Sequence, residues 1–279
     1  FLLLHAIYTT LRHCLYADYF IVKGMIYMEN ILSINNVSYS YHTLAGETKA
    51  LENISFNVRE GDFVAIVGPS GCGKSTLLSL ISGLIQPESG SIYINNVPAN
   101  ESTLHIGHMF QKDNLFEWRS IYRNVLLGLE IQKKCTNEKL SLVKEMFDSY
   151  GLSQFKNSKP SQLSGGMRQR AALIRTLALE PDILLLDEPF SALDYQTRLE
   201  VSDDIGKIIK SRNTTAILVT HDIAEAISMA DTIIILSHRP GTVNKIVNIH
   251  LSIDERTPFN SRTAPEFKDY FNMIWKELE

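Results

Sequence analysis

The stretch DFVAIVGPSGCGKSTLLSLISGL, residues 62–84, decides the fold of this chain. It begins with a nearly continuous apolar run that ends at Gly68, which is typical of a strand buried on both faces. A glycine-rich loop follows, and from Lys74 onwards the apolar residues have the spacing of an α-helix. The stretch therefore predicts a strand, a loop and a helix, in that order.

The loop itself, GPSGCGKST at residues 68–76, matches the nucleotide-binding pattern G-x-x-x-x-G-K-[ST]. Glycines allow successive backbone N–H groups to converge on phosphate oxygens, and a helix N-terminus favours negative charge. Lys74 would neutralise the β- and γ-phosphates, and the Ser75 hydroxyl can ligate magnesium. The alternative is a glycine-rich turn with a solvated lysine. The predicted nucleotide-binding residues are Gly68, Pro69, Ser70, Gly71, Cys72, Gly73, Lys74, Ser75 and Thr76.

Further strands are predicted on both sides of this unit. ILSINNVSYSY (31–41) and LENISFNVREG (51–61) alternate apolar and polar residues, which predicts an antiparallel edge layer. DILLLDEP (182–189) and TAILVTH (215–221) predict buried strands that lead into helices, and DTIIILSHRPG (231–241) closes the series. The region between, residues 120–180, is mostly helical in pattern. We therefore predict an α/β fold with a P-loop NTPase parallel-sheet core, an antiparallel β edge layer and a helical subdomain inserted at about 112–178.

The composition is that of a globular chain, with 44% hydrophobic and 21% charged residues among 279. The net charge of −4 gives no basic footprint, so we do not expect nucleic acid as a partner. Cys14, Cys72 and Cys135 form no C-x-x-C pair, which argues against zinc and disulfides. His105 and His108 have no further ligand nearby in the sequence, so we interpret them as solvated side chains.

Residues 1–28 are apolar and aromatic, but Arg12, Asp18 and Lys23 interrupt every window long enough to span a bilayer. We interpret this segment as an N-terminal extension, with Met25 or Met28 as the natural first residue. The main domain is expected at 29–250, and a C-terminal helical tail at 251–279. The aromatic residues of that tail have near-helical spacing, which predicts an amphipathic helix that packs on its own chain.

Two adjacent acidic residues lie in ILLLDEP, residues 183–189, at the end of a predicted buried strand. Asp187 can hold the magnesium shell at the strand end, and Glu188 beside it is placed to polarise an attacking water. The alternative is an acidic pair solvated at the surface. Together with the phosphate loop, the pair favours the hydrolysis of a nucleotide.

A second phosphate-binding element is predicted at QLSGGMRQR, residues 162–170. Ser164, Gly165 and Gly166 offer a hydroxyl, two unhindered backbone amides and the positive end of a helix dipole. If the helical block holds this element away from the core, one chain cannot wrap both loops around one nucleotide. Two copies of the chain, each lending this element to the other's nucleotide, are the economical solution.

The motifs GPSGCGKST, LSGGMRQR, LLLDEP, SALD and VTHD occur in that order and resemble those of the ATP-binding-cassette ATPases. The resemblance extends over roughly residues 30–250. LSGGMRQR is the most diagnostic motif, because P-loop kinases and GTPases share the first motif but lack this one. The resemblance implies that ATP and Mg²⁺ are the cofactors and that two cassettes enclose two ATP molecules head to tail.

The resemblance also implies roles for single residues. Tyr41 is placed where the family stacks an aromatic ring on adenine, although it could also be a tyrosine packed in the edge sheet. Gln111 is similar to the glutamine that reaches magnesium and the water, and Asp194 to the aspartate of the loop that crosses the dimer interface. His221 is similar to the switch histidine that contacts the γ-phosphate; alone, it would be interpreted as a satisfied strand-end histidine.

Residues 112–129, the SHRPGTV segment and the closing EFKDYFNMIWKELE look like those of the nitrate, sulfonate and taurine importers. These importers use separate cassette, permease and solute-binding chains. Leu115, Phe116 and Trp118 would form an apolar surface for docking a partner helix, or alternatively part of the helical-domain core. Glu117 departs from the group, which usually has a proline before this tryptophan.

The resemblance therefore implies a homodimer bound to permease subunits at the cytoplasmic face of the membrane, with a solute-binding protein as an indirect partner. The chain would be the peripheral, ATP-hydrolysing subunit of a bacterial importer of a small anion such as nitrate, sulfonate or taurine. Two alternatives belong to other classes: a soluble cassette ATPase that acts on nucleic acid or ribosomes, and a P-loop small-molecule kinase. The first generally has two cassettes or a long coiled coil, and the second does not need residues 163–167.

Overall fold

The computed structural model describes residues 30–44, 46–191, 193–253 and 256–279, so the predicted extension at 1–28 lies outside the described residues. The strands are β1 (Asn30–Thr43), β2 (Gly46–Arg59), β3 (Phe63–Val67), β4 (Ser89–Ile94), β5 (Val97–Pro98), β6 (Ile106–Met109), β7 (Ile183–Asp187), β8 (Thr215–Val219), β9 (Thr232–Leu236) and β10 (Val243–Asn248). The α-helices are α1 (Lys74–Ile81), α2 (Ile121–Ile131), α3 (Asn137–Ser149), α4 (Gly165–Leu177), α5 (Tyr195–Ser211), α6 (Ile223–Met229), α7 (Pro258–Ser261) and α8 (Phe267–Leu278).

The first layer is an antiparallel sheet in the order β2-β1-β4-β5. In β2 the buried residues Ile54, Phe56 and Val58 alternate with exposed ones, as expected for a strand with one face on the core. Thr43 of β1 pairs with Gly46 of β2 where the chain turns back. The predicted edge layer is therefore confirmed.

The second layer is a six-stranded sheet in the order β10-β9-β3-β8-β7-β6. The inner strands β3 and β8 are buried along their whole length and run parallel to their neighbours, which confirms the predicted parallel core. The last strand, β10, pairs antiparallel with β9 and is not predicted by the sequence. Val247 is the one buried residue within β10, and a strand that packs a single side chain gives too weak a periodicity to detect.

The two sheets enclose a core that also takes in helix α1. Leu77 and Ile81 of α1 are buried there together with Ile34 and Ile66, one from each sheet. Full burial of an aliphatic side chain stabilises the fold by about 1.5–3 kcal/mol. Because α1 is packed on both sheets, the loop that precedes it has a fixed position at the carboxyl end of β3.

A second hydrophobic core lies on the other face of the parallel sheet, and we call it the helix-covered core. Within it α4 packs on β6, while α2 and α3 pack on α4. Ser120 and Thr136 cap α2 and α3, where each side chain accepts a hydrogen bond from a backbone N–H in the first turn. Val143, Met146 and Phe147 of α3 are buried on one side of the helix. Gly151 follows α3 with a φ of 68°, which only glycine adopts readily, and so ends the helix.

The C-terminal helix α8 packs on its own chain. Ile274 is fully buried in the helix-covered core, and the Tyr270 hydroxyl accepts a hydrogen bond from His250 N at 3.2 Å. Lys245 of β10 forms an ion pair with Glu277 at 2.8 Å. Across the described part of the chain, no helix combines the length and the apolar character needed to cross a membrane.

The prediction that both histidines of the HIGH segment are solvated is wrong for His108. Its ring stacks on Phe110 at 4.1 Å, and both ring nitrogens are buried with no hydrogen-bond partner among the described residues. Burial lowers the pKa of His108 to about 4. The position lies on edge strand β6, and a sequence pattern does not reveal that the following aromatic residue covers the ring. The described ranges contain no cluster of three or more His, Cys, Asp or Glu residues that could hold a metal ion.

Candidate active site

The phosphate loop, residues 68–76, connects β3 to α1. Gly71 and Gly73 have φ values of 75° and 106°, in the region that favours glycine. A Cβ atom on Gly73 would lie 2.6 Å from Leu51 Cδ2 and 2.9 Å from Ala50 O, so a larger residue does not fit. The sequence pattern thus corresponds to a real steric requirement, which holds the loop close to β2.

Lys74 is buried at the centre of this loop. Its Nζ donates hydrogen bonds to Gly68 O at 2.8 Å and to Pro69 O at 3.0 Å. Cys72 packs in the core between the sheets, and burial raises the pKa of its thiol, although the charge of Lys74 opposes this. The side chain of Cys72 therefore points away from the side of the loop that would face a ligand. The positive charge of the loop comes from Lys74.

Two of the three predicted magnesium ligands are in direct contact. The Ser75 hydroxyl donates to Asp187 Oδ1 at 3.2 Å, across from the loop to the end of β7. Burial raises the pKa of Asp187, while the hydrogen bond from Ser75 opposes the shift. A hydroxyl and a carboxylate side by side, close to bound phosphates, are the kind of oxygen donors that Mg²⁺ takes. These residues fit the predicted ion.

The three predicted catalytic residues lie together. Glu188 Oε1 is 3.3 Å from His221 Nδ1, and Glu188 Oε2 accepts a hydrogen bond from Gln111 Nε2 at 3.1 Å. Glu188 has a φ of 44°, and its N–H donates to Val219 O at 2.9 Å. A left-handed φ costs a non-glycine residue on the order of 1–3 kcal/mol, so the surrounding structure must hold Glu188 in this conformation. We call Gln111, Asp187, Glu188 and His221 the catalytic edge.

A depression of about 350 Å³ opens beside the phosphate loop. Lys74, Ser75 and Glu188 line it, and so does Tyr41. The Tyr41 hydroxyl shares a hydrogen bond with Thr76 Oγ1 at 3.0 Å, while its ring is 43% exposed. The ring also contacts Tyr39 edge-on at 5.1 Å. Tyr41 therefore packs in the edge sheet and still offers an exposed aromatic surface at the depression.

Arg239 lines the same depression and is not among the predicted residues. Its Nε donates to Lys49 O at 3.0 Å, which holds the guanidinium near the loop. A signal is present in the sequence, because Arg239 follows β9. In the sheet β9 lies next to β3, and the carboxyl ends of parallel strands share one edge. The strand order, which the sequence does not give, decides that Arg239 faces the phosphate loop.

Residues 164–166 begin helix α4, and we call them the signature element. Ser164 is the N-cap, where its side chain accepts a hydrogen bond from Met167 N at 3.3 Å, and it is exposed. No residue of 162–170 lines the depression beside the phosphate loop. The structure therefore does not bring the two predicted phosphate-binding elements together around one depression within one chain.

The signature element contacts the loop that carries Asp194. A Cβ atom on Gly166 would lie 2.7 Å from Thr197 Cγ2, so α4 and α5 pack closely at this point. Asp194 caps α5 by accepting a hydrogen bond from Thr197 N at 3.1 Å, and the hydrogen bonds from Thr197 hold its pKa below the usual range. Ser164 and Asp194 thus belong to one exposed surface, which is separate from the depression.

The proposed docking residues divide between core and surface. Leu115 is buried in the helix-covered core, so its assignment to a docking surface is wrong and the core alternative holds for it. Phe116 is 42% exposed and Trp118 is 71% exposed, with ring centres 5.5 Å apart. Glu117 Oε2 accepts a hydrogen bond from Ser161 N at 3.1 Å, a contact that a proline cannot make. Phe116 and Trp118 are the exposed aromatic pair.

Comparison with known proteins gives consistent results. The profile of the ABC transporter family matches residues 51–191, from β2 to just past Glu188. The chain is 46% identical over 249 residues to the "Uncharacterized ABC transporter ATP-binding protein YtlC" of Bacillus subtilis, covering 89% of this chain and 96% of that protein. It is 38% identical over 248 residues to the aliphatic sulfonates import ATP-binding protein SsuB of Bacillus thuringiensis, covering 89% and 96%.

The nitrate import ATP-binding protein NrtD of Synechocystis is 38% identical over 247 residues, covering 87% of this chain and 93% of that protein. Among solved structures, the fold resembles the dimeric post-hydrolysis state of the ATP-binding cassette MJ0796 bound to ADP and Pi. The TM-score is 0.69 at 34% identity, and the match covers 78% of this chain and 99% of that one. These similarities and the motifs show that the chain belongs to the ATP-binding-cassette family and is an ATPase subunit of an ABC transporter.

Proposed function

We propose that this ATPase drives a bacterial importer of a small anion such as nitrate, a sulfonate or taurine. It would act as a homodimer on the cytoplasmic face of the membrane, bound to permease subunits that receive solute from a solute-binding protein. The observation that supports this proposal is the similarity to SsuB and NrtD over nearly the whole of those relatives. The exposed aromatic pair, close to Gln111 in sequence, supports a docking surface for a permease helix.

The catalytic edge supports a mechanism for the hydrolysis step. Glu188 would orient a water for in-line attack on the γ-phosphate and take its proton. His221 and Gln111, which contact the two oxygens of Glu188, would hold that carboxylate in position. Lys74 of the same chain and Ser164 of the partner subunit would together stabilise the charge that develops on the phosphate. Before hydrolysis, closure of the two copies around ATP would bring Ser164 of the partner subunit to the nucleotide and pull the permease halves.

The predicted cofactor positions follow the same geometry. ATP would be held by the phosphate loop, with its base on Tyr41. Ser75, Asp187 and Gln111 would hold Mg²⁺, which neutralises charge on the β- and γ-phosphates. The Ser75–Asp187 hydrogen bond is the observation that supports this donor set.

The importer assignment is tested by identifying the chain's partners in its own cell. The tagged protein is purified from detergent-solubilised membranes, and the chains that co-purify are identified by mass spectrometry. We expect a polytopic permease, whose solute can then be tested with nitrate, a sulfonate and taurine in uptake assays. Recovery of soluble partners alone from intact membranes would contradict the proposal and favour a nucleic-acid or ribosome ATPase.

The role of Glu188 is tested by Glu188→Gln, which keeps the size of the side chain and removes the base. We expect turnover to fall by about 10²–10⁴-fold, the usual contribution of a general base. ATP binding should persist, and the variant should elute as an ATP-dependent dimer in size-exclusion chromatography. Near-normal turnover in this variant would remove Glu188 from the mechanism.

A further inference from the structure

Glu225, in the first turn of α6, is a buried acidic residue that the mechanism does not use. It is 6% exposed, although its helix begins only two residues after His221. Its Oε2 shares a hydrogen bond with the Thr220 hydroxyl. Its Oε1 is buried and has no hydrogen-bond partner among the described residues. A buried carboxyl group with one unused oxygen is costly, so its presence here requires a compensating role.

Thr220 connects this carboxyl group to the loop that carries His221. Its hydroxyl oxygen also accepts a hydrogen bond from Asp222 N at 3.0 Å, so it bridges both ends of the loop. Asp222 Oδ1 in turn accepts hydrogen bonds from Ala224 N and Glu225 N at 2.9 and 3.1 Å and caps α6. The loop is thus fixed on both sides of His221, whose own ring is exposed and meets Glu188.

The same network reaches the loop that carries Asp194. Arg198 of α5 donates to Asp222 Oδ2 at 3.2 Å and to Leu193 O at 3.2 Å. Leu193 directly precedes Asp194 and lies next to the signature element, 3.4 Å from the position of a Cβ on Gly165. A continuous set of contacts therefore runs from Glu225 to the exposed surface of Ser164 and Asp194.

We propose that Glu225 is a positioning residue for ATP hydrolysis: through Thr220 and Asp222 it holds the His221 loop against Glu188 and connects it to the Asp194 loop. This inference rests on the proposed roles of Glu188 and His221. The groups whose charge acts on Glu225 are Asp222 on its own helix, Arg198 on α5 and Glu188 after β7. Because two of these three are anionic, a protonated Glu225 suits the network better than an ionised one.

The ionisation of Glu225 therefore provides a specific readout. Burial raises the pKa of Glu225 to about 7, although the hydrogen bond with Thr220 opposes the shift. As the pH rises through this value, a negative charge develops beside Asp222 and Glu188 in the wild-type chain. Glu225→Gln keeps a neutral side chain of the same size at every pH, so the ratio of its kcat to that of wild type should increase at alkaline pH.

The test uses the full chain and compares Glu225→Gln, Glu225→Ala and Thr220→Val, with the exposed Glu200→Gln as the control. We expect Glu225→Ala and Thr220→Val each to lower kcat about 10-fold, because small misplacements of catalytic groups cost up to about 100-fold. The kcat of the double variant Glu225→Ala/Thr220→Val should be no lower than that of either single variant, since both substitutions break the same contact. Binding of a fluorescent ATP analogue should stay within about twofold, because these residues lie outside the phosphate loop.

The pH readout separates positioning from a purely structural role. Between pH 6 and 8.5 we expect the kcat ratio of Glu225→Gln to wild type to rise at least about threefold, as the wild-type carboxyl group ionises. A constant ratio, together with kcat of Glu225→Ala within twofold of wild type, would overturn the inference. Glu188→Gln and His221→Ala are measured in parallel. If these two retain turnover, the proposed site itself fails; if they lose it while Glu225 variants stay normal, only the role of Glu225 fails.

Discussion

The two phosphate-binding elements of this chain have very different surroundings. The phosphate loop lies at a depression, and its Lys74 and Ser75 already contact protein groups from the loop and from β7. The signature element lies against Leu193, Thr197 and its own first turn, and its Ser164 is exposed. In the proposed dimer, the phosphate loop forms one half of a nucleotide site, and the signature element of the other copy covers that half-site.

This difference supports the proposal that a second copy completes the site. Burying an exposed N-cap hydroxyl and two glycine amides against a phosphate requires a surface that approaches from outside the chain. The dimeric form of the similar cassette MJ0796, bound to ADP and Pi, is consistent with such an arrangement.

Removing the charge of the phosphate loop should have the largest effect. Lys74→Ala deletes an ammonium group that makes charge-assisted hydrogen bonds, each worth about 1.5–3 kcal/mol. We expect the affinity for ATP to fall by about 100-fold or more, as measured by isothermal titration calorimetry. Lys268→Ala, at an exposed position of α8, is the control and should bind ATP normally. Unchanged ATP binding by Lys74→Ala would contradict the assignment of the phosphate loop as the ATP-binding element.

Blocking the signature element should remove turnover without removing binding. Ser164→Arg places a bulky cation where we propose that the γ-phosphate of the partner's nucleotide lies. We expect kcat to fall by about 10²–10³-fold, the usual cost of losing a transition-state donor, while ATP affinity stays within twofold. Full turnover in this variant would favour a kinase-like site within a single chain.

Mixing the two variants tests whether one active site contains residues of both chains. A heterodimer of Lys74→Ala and Ser164→Arg protomers has one composite site with both elements intact. Activity should therefore reappear on mixing, although each variant alone is inactive, and it should depend on both concentrations. If each chain wrapped its own nucleotide, the mixture would have no more activity than the separate variants.

The pH dependence of stability should reveal two groups with opposite effects, Glu225 and His108. Between pH 4.5 and 7 the folded protein keeps a proton on Glu225 that the unfolded chain has released, so the free energy of unfolding falls as pH rises. Between pH 4 and 6.5 the unfolded chain takes up a proton at His108 that the folded protein does not. Here the free energy of unfolding therefore falls as the pH drops.

Substitution of either group should uncover the other. Glu225 contributes about 3 kcal/mol to the pH-dependent free energy of unfolding. The partly exposed His108 contributes about 1–2 kcal/mol, because solvent screens its charge. We expect Glu225→Gln to gain stability as pH rises from 4.5 to 6.5, and His108→Phe to lose it. Urea unfolding at several pH values measures both slopes, and parallel profiles for the two variants would contradict the assignment.

The smallest effect on the isolated protein is expected at the exposed aromatic pair. Trp118→Ala should change the free energy of unfolding and the basal ATP turnover little, because surface substitutions usually stay within about 0.5 kcal/mol. Its effect should be seen only with the permease, as loss of co-purification from membranes. Trp275→Ala, which removes an exposed tryptophan elsewhere, is the matched control. Normal co-purification of Trp118→Ala would exclude this docking surface.

The parallel core and the edge layer could be predicted because their strands carry strong local patterns, a continuous apolar run at 63–67 and an apolar–polar alternation at 51–61. The grouping of the motif residues followed from their order along the chain and from the resemblance to the ATP-binding-cassette ATPases. What could not be predicted depends on packing between distant segments. Arg239 needed the strand order, Leu115 needed the depth of the helical core, and β10 and the burial of His108 needed the contacts of edge strands.

The distribution of tryptophan gives the chain a built-in optical signal. The sequence contains two tryptophans, Trp118 in the exposed aromatic pair and Trp275 in α8. Replacing Trp275 by Phe leaves a single tryptophan, which is 71% exposed and lies in the proposed docking surface. Its emission should shift to the blue when a partner excludes water from the ring. The arrival of a permease could then be followed in real time without attaching a label.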